Sequence, residues 1–155
     1  MRTVSIRQRP LHFQAAGKRE VRTQFAALPY RIKDGKVQVM LITSRGTGRW
    51  ILPKGWPMDG VTAAEAAATE AYEEAGVEGD ASHSVLGFYS YTKYHEGERY
   101  PVLVAVFGLK VRRLLNDWPE QHERNRKWMG RKKAAKLLDE PELRQIVRHF
   151  DPRRS

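Results

Sequence analysis

Apolar and polar residues alternate through Phe25–Ile32 and again through Val37–Thr43 in the manner of strands. Between the two runs stands Lys33-Asp34-Gly35-Lys36, and Asp-Gly flanked by alternating hydrophobics is the strongest short hairpin signal. A polar loop, Ser44-Arg45-Gly46-Thr47-Gly48-Arg49, leads to a short strand at Trp50-Ile51-Leu52 and then to Pro53-Lys54-Gly55. Val85–Thr92 and Tyr100–Val111 predict two further strands, the second rich in valine and aromatics, with a loop over Tyr91–Tyr100 between them. A last helix is predicted to start near Asp139–Pro141. Pro141 suits its first turn, and Leu143, Ile146, Val147 and Phe150 make one stripe at i, i+3, i+4 and i+7.

The clearest helix lies between Thr62 and Gly76. Thr62 followed three residues later by Glu65 is a capping-box signature, and Gly76 supplies a left-handed stop. Alanine, the best helix former, fills much of the interval. Ala64, Ala67, Ala68, Ala71 and Ala75 fall on one side, where small side chains allow close approach to a neighbouring element. Taken together, the elements predict one α/β domain over residues 20–155 behind a basic tail over residues 1–19.

Composition narrows the chemistry. The 155 residues include no cysteine, which excludes disulfides, thiol nucleophiles and cysteine-ligated metal sites and is compatible with the cytoplasm. No apolar run approaches a membrane span, and no apolar core of a signal peptide is expected, although the basic start leaves an organelle address open. Lys and Arg number 28 against 18 Asp and Glu, a net charge of +10 that predicts a polyanionic partner: nucleic acid, an acidic membrane surface or a small phosphorylated substrate. The five histidines, His12, His83, His95, His122 and His149, show no metal-ligand spacing. Tyr89, Tyr91, Tyr94 and Tyr100 offer faces for a nucleobase, but the alternation of Tyr89 and Tyr91 on a predicted strand favours packing.

Against that basic background one helix face is acidic. Glu70, Glu73 and Glu74 stand at i, i+3 and i+4, so their carboxylates converge within about one turn. Each like-charge pair costs an isolated helix roughly 0.2–0.5 kcal/mol. No Lys or Arg lies between Thr62 and Gly76 to offset them. A hard divalent cation such as Mg²⁺ would, since it takes oxygen ligands from a few carboxylates and from substrate phosphate. A bare Glu-x-x-Glu-Glu is otherwise the pattern of a solvated acidic face.

The segment resembles the Nudix box, Gly-x5-Glu-x7-Arg-Glu-U-x-Glu-Glu-x-Gly-U with U aliphatic. Aligned without gaps, the chain reads Gly55, Val61 at the first Glu position, Thr69 at the Arg position, then Glu70-Ala71-Tyr72-Glu73-Glu74-Ala75-Gly76-Val77. Val61 and Thr69 depart from the pattern. In the family that Arg helps to orient an acidic side chain of the box, so Thr69 leaves the task to another donor. The likeness extends over roughly residues 20–150 and implies a Nudix fold, a mixed β-sheet sandwiched between α-helices. Thr43-Ser44-Arg45, Arg49-Trp50, the second half of the box, and Arg124 with Arg126-Lys127-Trp128 look most like the diphosphoinositol-polyphosphate phosphohydrolases.

That resemblance implies hydrolysis of a phosphoanhydride by water, with Mg²⁺ or Mn²⁺ on Glu70, Glu74 and the carbonyl of Gly55, and with Glu73 as the general base. Other members take the base from the Glu70 position or from a loop elsewhere. Glu96, Glu98 and Glu123 are candidates for a further metal ligand, and nothing in the sequence selects one over another. Arg22, Ser44, Arg45, Lys93 and Arg124 match approximately the positions that contact substrate phosphate, work suited to the bidentate fork of Arg. The implied substrates are diphosphoinositol polyphosphates or diadenosine polyphosphates. Alternatives are a Nudix hydrolase of nucleoside diphosphate derivatives or of RNA 5′ ends, and a non-catalytic polyanion-binding module, which Val61 and Thr69 favour and the three intact Glu residues oppose. No membrane partner is expected, and the sequence does not fix the oligomeric state.

Overall fold

The Asp34-Gly35 pair turns the chain back on itself with both residues at positive φ, 52° and 76°, the backbone that a two-residue hairpin of right-handed twist requires. It joins β1 (Arg22–Lys33) to β2 (Lys36–Thr43), with Lys33 opposite Lys36. The computed structural model describes residues 22–153, so the expected basic tail over residues 1–19 lies outside the described residues. Two short strands follow, β3 (Trp50–Ile51) and β4 (Lys54–Gly55), then α1 (Ala63–Ala75). β5 (Val77–His95) and β6 (Glu98–Leu114) form a long antiparallel hairpin. β7 (Arg126–Gly130), α2 (Arg131–Leu137) and α3 (Pro141–His149) complete the described elements.

The sheet runs β3-β2-β1-β6-β5, with β4 paired to β1 and β7 to β2. β1 and β6 are parallel and the other pairs antiparallel, so the sheet is mixed, as expected. Each face buries one hydrophobic cluster. On one side Ala64, Ala67, Ala71 and Ala75 of α1 pack on Phe25, Ala27, Met40, Ile42 and Phe107. On the other, Ala134, Leu138, Leu143, Val147 and Phe150 pack on Leu28, Val39, Leu41, Val104 and Val106. The alternation within β1 supplies both layers, Ala27 facing α1 and Leu28 facing α2 and α3.

Three local expectations change. Tyr91–Tyr100 is no loop: β5 continues to His95, Glu96-Gly97 turns at φ 49° and 78°, and Lys93 pairs with Tyr100 across the ladder. β5 also begins eight residues before Val85, because pairing with β6 recruits the polar stretch after Val77. Among the alanines of α1, Ala66 is fully buried and Ala68 only partly so. The aromatic expectation holds: Tyr89 is core, and the Tyr91 hydroxyl donates to Gln24 Oε1 at 2.6 Å.

Candidate active site

Local sequence fixes α1 at both ends. Thr62 accepts from the Glu65 amide at 3.1 Å while Glu65 Oε1 accepts from the Thr62 amide at 3.3 Å, and Gly76 takes the left-handed conformation at φ 65°. The helix has no basic residue in its last turn; the cation arrives from β7, where Arg126 Nη1 donates to the Ala75 and Gly76 carbonyls at 2.9 and 3.0 Å. Its guanidinium also stacks on Trp118 at 3.9 Å. Small alanines and this brace let α1 lie close to β4.

Gly55 of β4 faces Glu70 of α1. A Cβ at Gly55 would stand 2.7 Å from Glu70 Oε2 and closer still to Oε1 and the carboxyl carbon, so only glycine leaves that carboxylate its place beside the β4 backbone. One turn on, Glu74 is buried, with 7% of its side chain exposed. The Glu70 and Glu74 carboxyls share a hydrogen bond. Desolvation, then that bond to Glu70, pushes Glu74 up to about 9, and the neighbouring Arg124 only partly opposes the rise. Burial likewise raises Glu70. The two acids therefore hold a proton between them where two bare negative charges are not tolerated.

Arg124, from the β6–β7 connection, has 8% of its side chain exposed and all its nitrogens committed to protein acceptors. Nη1 donates to the Thr43 carbonyl at 3.1 Å, Nε lies 3.0 Å from Glu120 Oε1, and Nη2 stands 3.5 Å from Glu74 Oε1. Thr69, at the box position of Arg, donates its hydroxyl to the Glu65 carbonyl at 3.0 Å and reaches no acid. Val61 packs against the α1 side of the core. Glu73 is half-buried on the adjacent face, its backbone carbonyl accepting from the Glu120 amide at 3.0 Å.

The remaining predicted residues spread along the rim. Ser44 accepts from the Arg49 amide at 3.0 Å and bonds Thr47 at 2.6 Å, so its hydroxyl shapes the loop that carries Arg45. Arg45 is exposed and reaches Glu123 at 3.3 Å and Glu120 at 3.9 Å. Lys93 lies 5.6 Å from the Trp56 ring, and Arg22 sits 3.9 Å over Tyr100. Sequence reasoning missed two neighbours of the acid pair. Lys54, 5.0 Å over Tyr91, lies in the field of Glu74, Lys93 and Arg124, and burial lowers its pKa. Glu120 adds its charge beside Glu70. The Pro53-Lys54-Gly55 motif was a signal for Lys54; Glu120 had none.

Could these residues hold a divalent cation? Among the described residues no cluster of three or more His, Cys, Asp or Glu is gathered at metal-binding separation. The donor set nevertheless fits: two hydrogen-bonded carboxyls give hard oxygen ligands, and Mg²⁺ ordinarily takes one or two carboxylates, completing its shell with water and phosphate.

The family description "NUDIX domain" matches residues 22–150. Nudix hydrolase 21, chloroplastic, of Arabidopsis thaliana is 34% identical over 89% of this chain and 69% of its own. The mouse diphosphoinositol polyphosphate phosphohydrolase 3-alpha is 32% identical over 73% of this chain and 66% of its own. Two further Arabidopsis relatives are matched over 61% and 63% of their lengths, so the chain spans about two-thirds of the curated relatives it resembles. In fold, the crystal structure of the C. elegans Ap4A hydrolase superposes with a TM-score of 0.58 at 22% identity, covering 83% of this chain and 95% of that one.

Proposed function

This chain belongs to the Nudix hydrolase family, and from that premise we propose that it is a divalent-metal-dependent pyrophosphohydrolase of small, multiply phosphorylated substrates. The observation that carries this reading is the pair of half-buried Glu70 and buried Glu74 set against Gly55: it lacks a counter-charge on its own helix and offers paired oxygens to a cation. Glu70, Glu74 and the Gly55 carbonyl would hold Mg²⁺ or Mn²⁺. When bound, such an ion offsets phosphate charge and makes water more acidic. Glu73, half-buried beside the pair, accepts the proton of the attacking water at its carboxylate as the P–O–P bridge opens and the leaving phosphate departs.

Arg124 holds Glu74 and Glu120 in place rather than meeting substrate. Two hydrogen bonds and the contact with Glu74 fix the guanidinium, and it supplies from another element the cation that Thr69 does not. Lys54, Lys93 and Arg45 are the side chains for substrate phosphate. Arg22 and Ser44 support that rim, Arg22 beside Tyr100 and Ser44 through the Arg45 loop. The names of the mouse relative and of the C. elegans structure support diphosphoinositol polyphosphates and diadenosine polyphosphates as the classes to try first. Among the described residues no helix is long and apolar enough to cross a membrane. A cytoplasmic setting is part of the proposal, with an organelle, as in the names of the Arabidopsis relatives, its alternative.

The test is a phosphate-release screen with and without Mg²⁺ across inositol pyrophosphates, dinucleoside polyphosphates, nucleoside diphosphate derivatives and triphosphorylated RNA. Metal-dependent turnover fastest on one of the first two is expected. Tight binding without turnover on any of them would make the chain a polyanion-binding module instead.

A further inference from the structure

The positive surplus of this chain is not gathered on its acid-bearing helix. Residues 62–76 contain four Glu and no Lys or Arg. The cations concentrate on the opposite layer: between residues 131 and 149 stand Arg131, Lys132, Lys133, Lys136, Arg144 and Arg148. The acids of the same stretch are Asp139, Glu140 and Glu142, and Arg49 takes the first two at 2.8 and 3.7 Å.

These cations line two adjoining hollows. One, of about 770 Å³, opens between the β1–β2 turn, the start of α2 and the end of α3, with Lys36, Arg131, Lys132, Lys133, Arg148 and Arg153 around it. Its acid, Asp151, is bonded to Arg153. The other, of about 480 Å³, shares Lys132 and Arg148 and adds Lys136 and Arg144. Arg131 and Arg144 donate to the Phe150 and Leu138 carbonyls and so stiffen the walls. Lys36, Lys132, Lys133, Lys136 and Arg148 are exposed, and none pairs with an acid among the described residues. The groove lies far from the acid pair: Gly55 is opposite Phe25, whereas the groove begins past Lys33, about 26 Å further along β1 at ~3.3 Å per residue.

We propose that this α2–α3 groove is a second binding site, separate from the catalytic one, for a flexible chain of phosphates held through its backbone charge. Two hollows sharing Lys132 and Arg148 make a track longer than one phosphate needs. Among the described residues no Trp, Tyr or Phe side chain lines either hollow, so the groove offers no stacking platform there, and recognition is electrostatic and independent of sequence. The concave shape suits a strand better than a flat bilayer.

The experiment uses the full chain, its basic tail kept in every variant. Binding of a labelled 20-nucleotide single-stranded RNA is followed from 50 to 200 mM salt, with inorganic polyphosphate as a second arm and anionic phospholipid vesicles as a third. About five phosphate contacts give a log–log slope near −3.5 and roughly a hundredfold loss across that range. Lys132→Glu, Lys133→Glu and Arg148→Glu together should weaken binding more than tenfold and flatten the slope by about 2. Two of these changes place acid in the first turn of α2, which the helix dipole favours, and thermal melting checks the fold. Lys110→Glu, Arg112→Glu and Arg113→Glu on β6 form a control of equal charge. RNA or polyphosphate binding lost only in the groove variant supports the site, and the arm affected names the source. Equal losses in both variants, no change in either, or binding confined to vesicles would overturn it. The readout needs no turnover, so it stands if the hydrolase reading fails.

Discussion

A side chain at Gly55 and the carboxylate of Glu70 would claim the same space. The α-carbon of a two-residue strand therefore fixes how closely α1 can bring its acids to the sheet. The φ of Gly55 is ordinary, so the requirement is one of volume rather than backbone freedom. Gly55→Ala is expected to push the Glu70 carboxylate off the β4 backbone, raise the Mg²⁺ concentration for half-maximal activity about tenfold or more, and leave secondary structure intact. A metal titration of turnover beside a far-ultraviolet spectrum checks this; an unchanged metal requirement would remove Gly55 from the site.

Glu73 differs from its neighbours in what its loss should do. As the general base it contributes about 10²–10⁴ in rate, so Glu73→Gln should lower kcat by that factor and leave metal affinity close to wild type. Glu70→Gln or Glu74→Gln should instead shift the metal titration. Near-normal turnover of Glu73→Gln would move the base elsewhere, with Glu120, a half-buried acid whose charge reaches Glu70, the next to try.

The acid pair also sets a pH dependence. Glu74 sits at about 9 in the metal-free fold against roughly 4.3 in an unfolded chain, so between those values the folded state carries a proton that the unfolded state lacks. The stability this gives is complete below the unfolded value and is lost as pH rises through 9. Metal-free protein should therefore melt progressively lower from pH 6 to pH 9.5, and Glu74→Gln should flatten the trend. Because a cation needs the ionised pair, Mg²⁺ should restore most melting temperature at the alkaline end. Parallel pH profiles for wild type and Glu74→Gln would contradict the assignment.

What the sequence made legible was local chemistry. The Asp34-Gly35 hairpin and both caps of α1 are written in adjacent residues, as is the spacing of Glu70, Glu73 and Glu74. What stayed hidden depends on partners far along the chain. The start of β5 is polar and becomes a strand only because β6 pairs with it. β7 is five residues followed at once by α2, too short for a period to emerge. Lys54 and Glu120 join the site through folding, and the commitment of Arg124 to Thr43, Glu120 and Glu74 spans up to 81 positions.

Arg124→Lys separates positioning from substrate contact, because it keeps the charge and loses the fork. A lysine reaches one of the three acceptors, leaving Glu74 or Glu120 unbraced. A positioning role predicts kcat lower by about tenfold or more, weaker Mn²⁺ binding measured without substrate, and an unmoved KM. A phosphate-contact role predicts the reverse pattern, with KM raised and Mn²⁺ binding unchanged.

Arg126 shows how the site depends on a residue that never faces it. Its guanidinium satisfies the Ala75 and Gly76 carbonyls and, through Nη2, the Leu115 carbonyl at 2.8 Å, while stacking on Trp118. The Ala75 and Gly76 carbonyls end α1, and a positive group there also meets the negative end of the helix dipole. Arg126→Ala leaves several of these acceptors to water and is expected to cost about 1–2 kcal/mol, since Arg126 is only half-buried. The loss should appear as a lower urea midpoint with an unchanged slope, the mark of a native state weakened without becoming looser. Well below the melting temperature, kcat and the metal requirement should stay near wild type, because Gly55, Glu70 and Glu74 keep their own contacts. A variant of full stability but impaired metal binding would mean that Arg126 acts on the acids directly, against the geometry that points its nitrogens at the helix end.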